Sequence, residues 1–289
     1  MWREFEYLKP ITLQEACSLR LRYGEDARIM AGGTDLLVKM KQRIENPKYL
    51  IDIKGISGLD EIYYEANRRL RIGALVTLRT LETAEIVRKK FDIIAEAART
   101  VGSVQVRSKG TTGGNLCNAS PAADTAIPLI AMDAAVEICG LKGTKTMPLE
   151  SFFEGPGKTT LKQDELLTEI LVPEPPPNAG RAFAKHGIRN LMEIAVASVA
   201  VSIEFTDRIC KRARIALGSV APAPIRAIDA EEVLVGEEFG DELVEKAAET
   251  AAKEIRPISD IRSSAEYRRR VTRVLVRRAL TEALRRAGR

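Results

Sequence analysis

Two short stretches carry the residue types from which a ligand site could be built. Ala31, Gly32, Gly33, Thr34, Asp35 and Leu36 form one; Thr111, Thr112, Gly113, Gly114 and Asn115 form the other, with Ser120 and Asp124 close behind. Glycine loses the most conformational freedom on folding, so clustered glycines mark a backbone that turns left-handed or approaches something closely. Successive amides with no side chain in the way can gather an anion. A pyrophosphate held between two such loops needs few cationic side chains, and few are present. Asp124 could accept from a ribose or ribityl hydroxyl. Together the loops predict a dinucleotide site. Each stretch alone is equally consistent with a plain glycine turn, and Asp124 with the N-cap of the apolar helix that begins directly after it.

Other chemistry is excluded or thin. Neither loop has the GxGxxG or GxxxxGK[ST] form, so nicotinamide Rossmann and nucleoside-triphosphatase readings lack support. Ser198, Ser202 and Ser219 lie in apolar strand contexts without a GxSxG elbow, and His186 is the single histidine, which leaves no Ser–His triad. No carboxylate pair stands out by spacing. Cys17, Cys117, Cys139 and Cys210 are far apart with no CxxC, against a zinc or iron–sulfur site on this chain and in keeping with reduced thiols of an intracellular protein. Lys185, His186 and Arg189 follow a proline-rich segment, where a second domain could close over a ligand held by the first. A surface basic cluster is the alternative, with His186 exposed.

The elements that must position these residues are readable from patterning. The chain has 289 residues, long enough for two cores. A helix capped by Thr12 and closed by Gly24 is followed by strands over "ARIM" and "YLIDI", an α/β signature. Residues 79–103 predict a helix in two pieces. Pro173 to Pro177 mark a boundary, beyond which two strands separated by Asp207 and Arg208 predict a hairpin. Three helices close the chain. The net charge is +5, and ten arginines fall between Arg262 and Arg289 against Glu266 and Glu282. Tyr267, Val271, Val274, Leu275 and Leu284 predict one packed stripe on that last helix, with an arginine-rich face that is solvated or meets a subunit. No interleaved aromatics point to nucleic acid. The N-terminal decapeptide shows no signal-peptide pattern, and no apolar run reaches membrane-spanning length; a cytoplasmic protein is expected.

Seven stretches, "AGGTDLLVKMKQRIENPKYLIDIKGI", "LRIGALVTL", "VGSVQVRSKGTTGGNLCNASPAADTAIPLIAMDA", "DELLTEILVP", "FAKHGIRN", "ARIALGSVAPAPIRA" and "DIRSSAEYRRRVTRVLVRRAL", occur in the order and spacing of one family. By them the chain resembles the FAD-binding medium subunits of the molybdenum hydroxylases, a group that includes xanthine, aldehyde, nicotinate and carbon monoxide enzymes. The resemblance implies an α+β protein: a two-part FAD-binding domain of the vanillyl-alcohol-oxidase (PCMH) type over residues 1–175, in subdomains of about 1–56 and 57–175, then a smaller domain with antiparallel sheet and helices over 178–289. It implies that Ala31 to Leu36 and Thr111 to Asn115 hold the FAD pyrophosphate and neighbouring groups. Ser120 and Asp124 match positions on the cofactor's sugar or phosphate side, Val101 and Leu167 match apolar positions near the ring, and Lys185 matches a lysine near the isoalloxazine.

The implied function is electron transfer through non-covalent FAD. A large subunit would carry the molybdenum cofactor, a small subunit two [2Fe–2S] clusters, and the whole would form a dimer of heterotrimers. Electrons would leave to NAD(P)⁺, dioxygen or another carrier, with Lys185 stabilising reduced flavin. The isolated cysteines argue against the [4Fe–4S] loop of some members, and "AGGTDLL" departs from the "GGHS" of the carbon monoxide enzymes, which points toward a xanthine or aldehyde type. Two other classes compete: an assembly protein that has kept the fold without the cofactor, and a stand-alone FAD alcohol oxidase.

Overall fold

A computed structural model of the chain describes residues 3–66, 68–189 and 192–288. The first unit runs β1 (Glu6–Leu8), α1 (Leu13–Tyr23), β2 (Ala27–Met30), α2 (Leu36–Lys41) and β3 (Tyr49–Asp52). Its strands form a parallel sheet in the order β1-β3-β2. Thr12 starts α1 as expected, its hydroxyl accepting from the Glu15 amide at 3.2 Å, and Gly24 ends it at φ +52°. A left-handed C-terminal residue of this kind suits glycine.

The second unit begins with β4 (Ile62–Glu65) and β5 (Arg69–Gly73), followed by six helices: α3 (Leu78–Thr83), α4 (Glu85–Lys90), α5 (Asp92–Arg99), α6 (Val104–Arg107), α7 (Thr112–Cys117) and α8 (Ala126–Ala131). It continues with β6 (Ala135–Gly140), β7 (Gly143–Pro148), the small pair β8 (Phe153–Gly155) and β9 (Lys158–Thr159), and β10 (Leu166–Pro173). The five longer strands pair antiparallel in the order β4-β5-β10-β6-β7. The helical stretch expected in two pieces is broken into three at Ala84 and Phe91, whose backbones leave the helical region. Phe91 is fully buried beside Val87, Ile93 and Ile94, so the helix breaks where a large ring turns into the core.

The third unit comprises β11 (Ala179–His186), β12 (Ala197–Thr206), β13 (Ile209–Gly218), β14 (Ile225–Arg226), α9 (Ile228–Leu234), α10 (Asp241–Glu254) and α11 (Ala265–Arg286). Its four strands form an antiparallel sheet in chain order, and the β12–β13 hairpin turns at Asp207, φ +53°. The stripe on α11 differs from the expected one. Arg268, Thr272, Leu275, Val276, Ala279, Leu280 and Ala283 are buried, while Tyr267 and Val274 are exposed. Arg268 is tolerated inside because Val196 O, Ser219 O and Asp260 Oδ1 take its N–H groups at 2.6, 2.9 and 2.9 Å, and a buried charge stays charged only when so partnered. On the outer face, Arg273 pairs with Glu245 and Glu249 of α10, so part of the basic surface is neutralised within the chain.

The third unit closes on the second through apolar contact and charge. Ala200 and Ala216 join the core of the second unit. Arg181 meets Asp92 at 3.1 Å, Arg214 meets Asp133 at 2.7 Å, Arg226 meets Glu150 at 3.2 Å, and Arg286 meets Glu96 at 2.8 Å. Each of these pairs sets a base of the third unit against an acid of the second. Exposed pairs of this type each contribute little, but their common polarity fixes which faces meet. No helix among the described residues is long and apolar enough to cross a membrane.

Candidate functional site

The first glycine loop leaves the end of β2 and enters α2. Gly33 stands at φ +73°, a conformation that disfavours any residue with a Cβ. Past it, Leu37 N–H donates to Gly33 O at 3.0 Å, but among the described residues no acceptor of the chain takes the N–H groups of Gly33, Thr34, Asp35 or Leu36. Four consecutive unmatched donors give this stretch of backbone a local positive character, suited to an anion. Asp35 itself is exposed and makes no side-chain cap.

The second loop has a different character. Thr112 N–H donates to Val76 O at 2.8 Å, Gly113 N–H to Ala74 O at 2.9 Å, Gly114 N–H to Thr111 Oγ1 at 3.0 Å, and Asn115 N–H to Thr111 O at 2.9 Å. The expectation that both loops turn amides outward is corrected here: those of Thr112 to Asn115 are consumed within the protein. Its glycines serve close packing instead. A Cβ on Gly113 would stand 2.6 Å from Ala74 Cβ, and one on Gly32 would stand 2.0 Å from Lys109 O. The two loops are thus seated back to back, with Gly32 against Lys109 and Ala31 near Gly114. Lys39 of α2 reaches Asn118 Oδ1 at 2.9 Å across the same seam. Asn115 Oδ1 accepts from Thr125 at 2.6 Å.

Asp124 does not cap α8. Thr125 occupies the N-cap position, without a side-chain bond, and Asp124 Oδ2 accepts from Lys185 Nζ of β11 at 2.5 Å. Asp124 is buried, and its second oxygen, Oδ1, has no partner in the chain. Burial pushes its carboxyl up to about 6, against the opposing pull of the Lys185 charge and hydrogen bond. Lys185 Nζ also donates to Glu193 O at 3.0 Å and Thr100 O at 3.1 Å. His186, expected on the surface, is half-buried against Tyr267, with Nε2 3.2 Å from the phenol oxygen. Arg189 turns to Glu193 at 2.9 Å, and Asn190 lies outside the described residues.

The remaining expected residues differ in burial and in partners. Val101 is half-buried after α5. Ser120 Oγ accepts from the Ala122 amide at 3.2 Å. Leu167 is buried in the core of the second unit, where its neighbour Thr168 accepts from the Ala74 amide at 2.8 Å; it bears on the site from beneath the second loop.

Two sets of supporting residues escape sequence reasoning. Buried Arg107 holds the turn that carries Val101, donating to Val101 O at 3.0 Å and to Glu82 at 2.9 Å. Behind the first loop, Lys54 Nζ donates to Asp52 Oδ1 at 2.6 Å and to Ala31 O at 3.3 Å, and the Tyr7 hydroxyl also donates to Asp52. Burial raises the Asp52 carboxyl, but the hydrogen bonds from Lys54 and Tyr7 outweigh it and hold it below the usual range. Tyr7 is pushed up to about 12, chiefly by its bond to that carboxylate. Asp at the last position of a strand and two residues before Lys is the one local signal for this support. Four unmatched amides, a glycine seam without side chains and an unpartnered buried carboxylate oxygen fit an elongated ligand with a pyrophosphate and hydroxyls.

Comparison with known proteins agrees with that chemistry. Residues 3–175 match the model of the FAD binding domain in molybdopterin dehydrogenase, and residues 181–283 match the CO dehydrogenase flavoprotein C-terminal domain. The chain is 35% identical to the nicotine 6-hydroxylase medium subunit of Paenarthrobacter nicotinovorans, over 96% of each chain. It is 33% identical to the glyceraldehyde dehydrogenase medium chain of Sulfolobus acidocaldarius, over 96% of this chain and 98% of that one. A solved chain of carbon monoxide dehydrogenase from Hydrogenophaga pseudoflava superposes with a TM-score of 0.96 at 35% identity, covering 99% of each chain. Identity is as high to the carbon monoxide enzyme as to the nicotine enzyme.

Proposed function

This chain belongs to the FAD-binding medium-subunit family of the molybdenum hydroxylases, and from that premise we propose that it carries non-covalent FAD in the seam between its two glycine loops and the third unit. It is an oxidoreductase component. FAD, when bound, supplies the chemistry of accepting electrons singly and passing them on in pairs. In the proposed complex a small subunit with two [2Fe–2S] clusters is the donor, a large subunit carries the molybdenum cofactor and the substrate, and NAD(P)⁺ or another carrier is the acceptor. The assembly is a dimer of heterotrimers in the cytoplasm. We place the FAD-binding domain over residues 1–175 and the C-terminal domain over 178–289.

The chain's own groups have distinct tasks in this reading. The amides of Gly33 to Leu36 donate to pyrophosphate oxygens. Thr111 to Asn115 brace the seam and hold its width, while Ser120 and Asp124 face the sugar or phosphate side. Val101 and Leu167 supply apolar packing near the ring, and Lys185 with Asp124 forms the charged end of the site. The observation that carries the reading is the run of four unmatched amides from Gly33 to Leu36, leading into α2. The test is the visible absorption spectrum of the purified protein, with mass identification of what denaturation releases. About one FAD per chain, released intact, is expected for a single saturated site. Absence of flavin, with none taken up on titration, would favour the assembly-protein reading.

A further inference from the structure

Lys185 was expected to act on the flavin as a cation, yet its hydrogen-bonding capacity is already spent. An ammonium has three donors and no acceptor. Those of Lys185 go to Asp124 Oδ2 at 2.5 Å, Glu193 O at 3.0 Å and Thr100 O at 3.1 Å, and only 10% of the side chain is exposed. The three acceptors belong to segments far apart in sequence. Thr100 opens the turn that carries Val101, Asp124 precedes α8, and Glu193 lies in the connection between β11 and β12. The Val101 turn has one further tie, from Arg107 to Val101 O, and the Glu193 connection has two, from Arg189 to the Glu193 carboxylate and from the Val196 amide to His186 O. Lys185 is the group that touches all three.

We infer that Lys185 is a positioning residue: it pins the Val101 turn, Asp124 and the Glu193 connection into one arrangement, and its electrostatic effect on a bound cofactor is exerted through Asp124. The free valence of the pair is Asp124 Oδ1, which is buried and unpartnered. The charge acting on this carboxyl is that of Lys185, bonded to it, while Glu193 directs its own carboxylate to Arg189. The inference rests on the FAD-site reading above.

Lys185→Met keeps length and bulk but removes all three donors. In the FAD-free protein, amide hydrogen exchange around residues 100–103 and 192–196 is expected to quicken together by about 10-fold, since bonds to a charged donor are stronger than neutral ones. Asp124→Asn keeps an acceptor for the ammonium and should leave both segments close to wild type. In the flavin-loaded complex, Lys185→Met should shift the flavin potential, and the same substitution made on top of Asp124→Asn should add no shift. Unchanged exchange at both segments, or an equal shift in the two backgrounds, would overturn the inference and return Lys185 to direct contact. The exchange experiment is independent of cofactor, so a protein that binds no FAD would sink the functional reading without deciding this one. Should Lys185→Met fail to fold, Lys185→Gln gives the same comparison: its neutral amide ends one bond short of the ammonium and has two donors against three, so with one on Asp124 the Glu193 or Thr100 segment must loosen, and protection retained at both would count against the pin.

Discussion

The two glycine loops look alike in sequence and do opposite things with their backbones. In Ala31 to Leu36 the glycine at φ +73° releases four amides from any protein partner. In Thr111 to Asn115 the amides are bound by Val76, Ala74 and Thr111, and a Cβ would press on Ala74 at Gly113 and on the Thr111 hydroxyl at Gly114. The first loop presents donors to a ligand, and the second is the wall that holds the first in place. Glycine pairs therefore report a need for space, and only the hydrogen-bond accounting tells whether that space is for a ligand or for the protein itself.

Substitutions can separate the two roles. The largest effect is expected where the loops meet: Gly32→Ala forces a methyl to within 2.0 Å of Lys109 O, and backbone against backbone cannot yield cheaply. Destabilisation of about 3 kcal/mol, read from denaturant unfolding, should accompany loss of FAD binding. Gly33→Ala comes next. Its left-handed backbone makes the alanine cost about 1 kcal/mol, yet FAD affinity should fall far more than stability does, because the unmatched amides depend on that conformation. Thr111→Ala sharpens the contrast from the other side. It removes the acceptor of Gly114 N–H, a capping bond that is worth about 1 kcal/mol, while affinity for FAD should drop only in proportion to the loosened wall. If Thr111→Ala abolished FAD binding without destabilising the protein, the division of roles would be broken.

A smaller effect concerns pH. The Asp124 carboxyl titrates at about 6 in the folded chain, above its value of about 4 when unfolded, so the folded state binds the proton more tightly. Stability from this group is then greatest below about pH 4 and declines as pH rises through about 6. Asp124→Asn should flatten the dependence of Tm on pH across that window, and a slope equal to that of the unaltered protein would assign the proton to another group.

The parts of the molecule legible in sequence are those fixed by neighbours along the chain. Thr12 and Gly24 delimit α1, Asp207 turns the hairpin, and the prolines from Pro173 end β10, because caps, turns and ring constraints act within a few residues. Asp124 shows where that reach ends. Two residues before a helix it has every local mark of a cap, but Lys185, 61 positions away, takes its oxygen instead. The outward amides of Thr112 and Gly113 fail for the same reason, since Val76 and Ala74 lie some forty residues upstream, whereas those of Gly114 and Asn115 are taken locally by Thr111. Arg268, buried in a stripe expected to be apolar, depends on carbonyls from Val196 and Ser219. Resemblance to a family supplied the candidate site residues, whereas their partners came only with the fold.

The most direct test of the division between the loops is a set of amide ¹H–¹⁵N spectra of the protein before and after addition of FAD. The amides of Gly33, Thr34, Asp35 and Leu36 should move strongly as they gain acceptors, while those of Gly113, Gly114 and Asn115, already bonded within the protein, should move little. Large shifts in the second loop with the first unmoved would contradict the account.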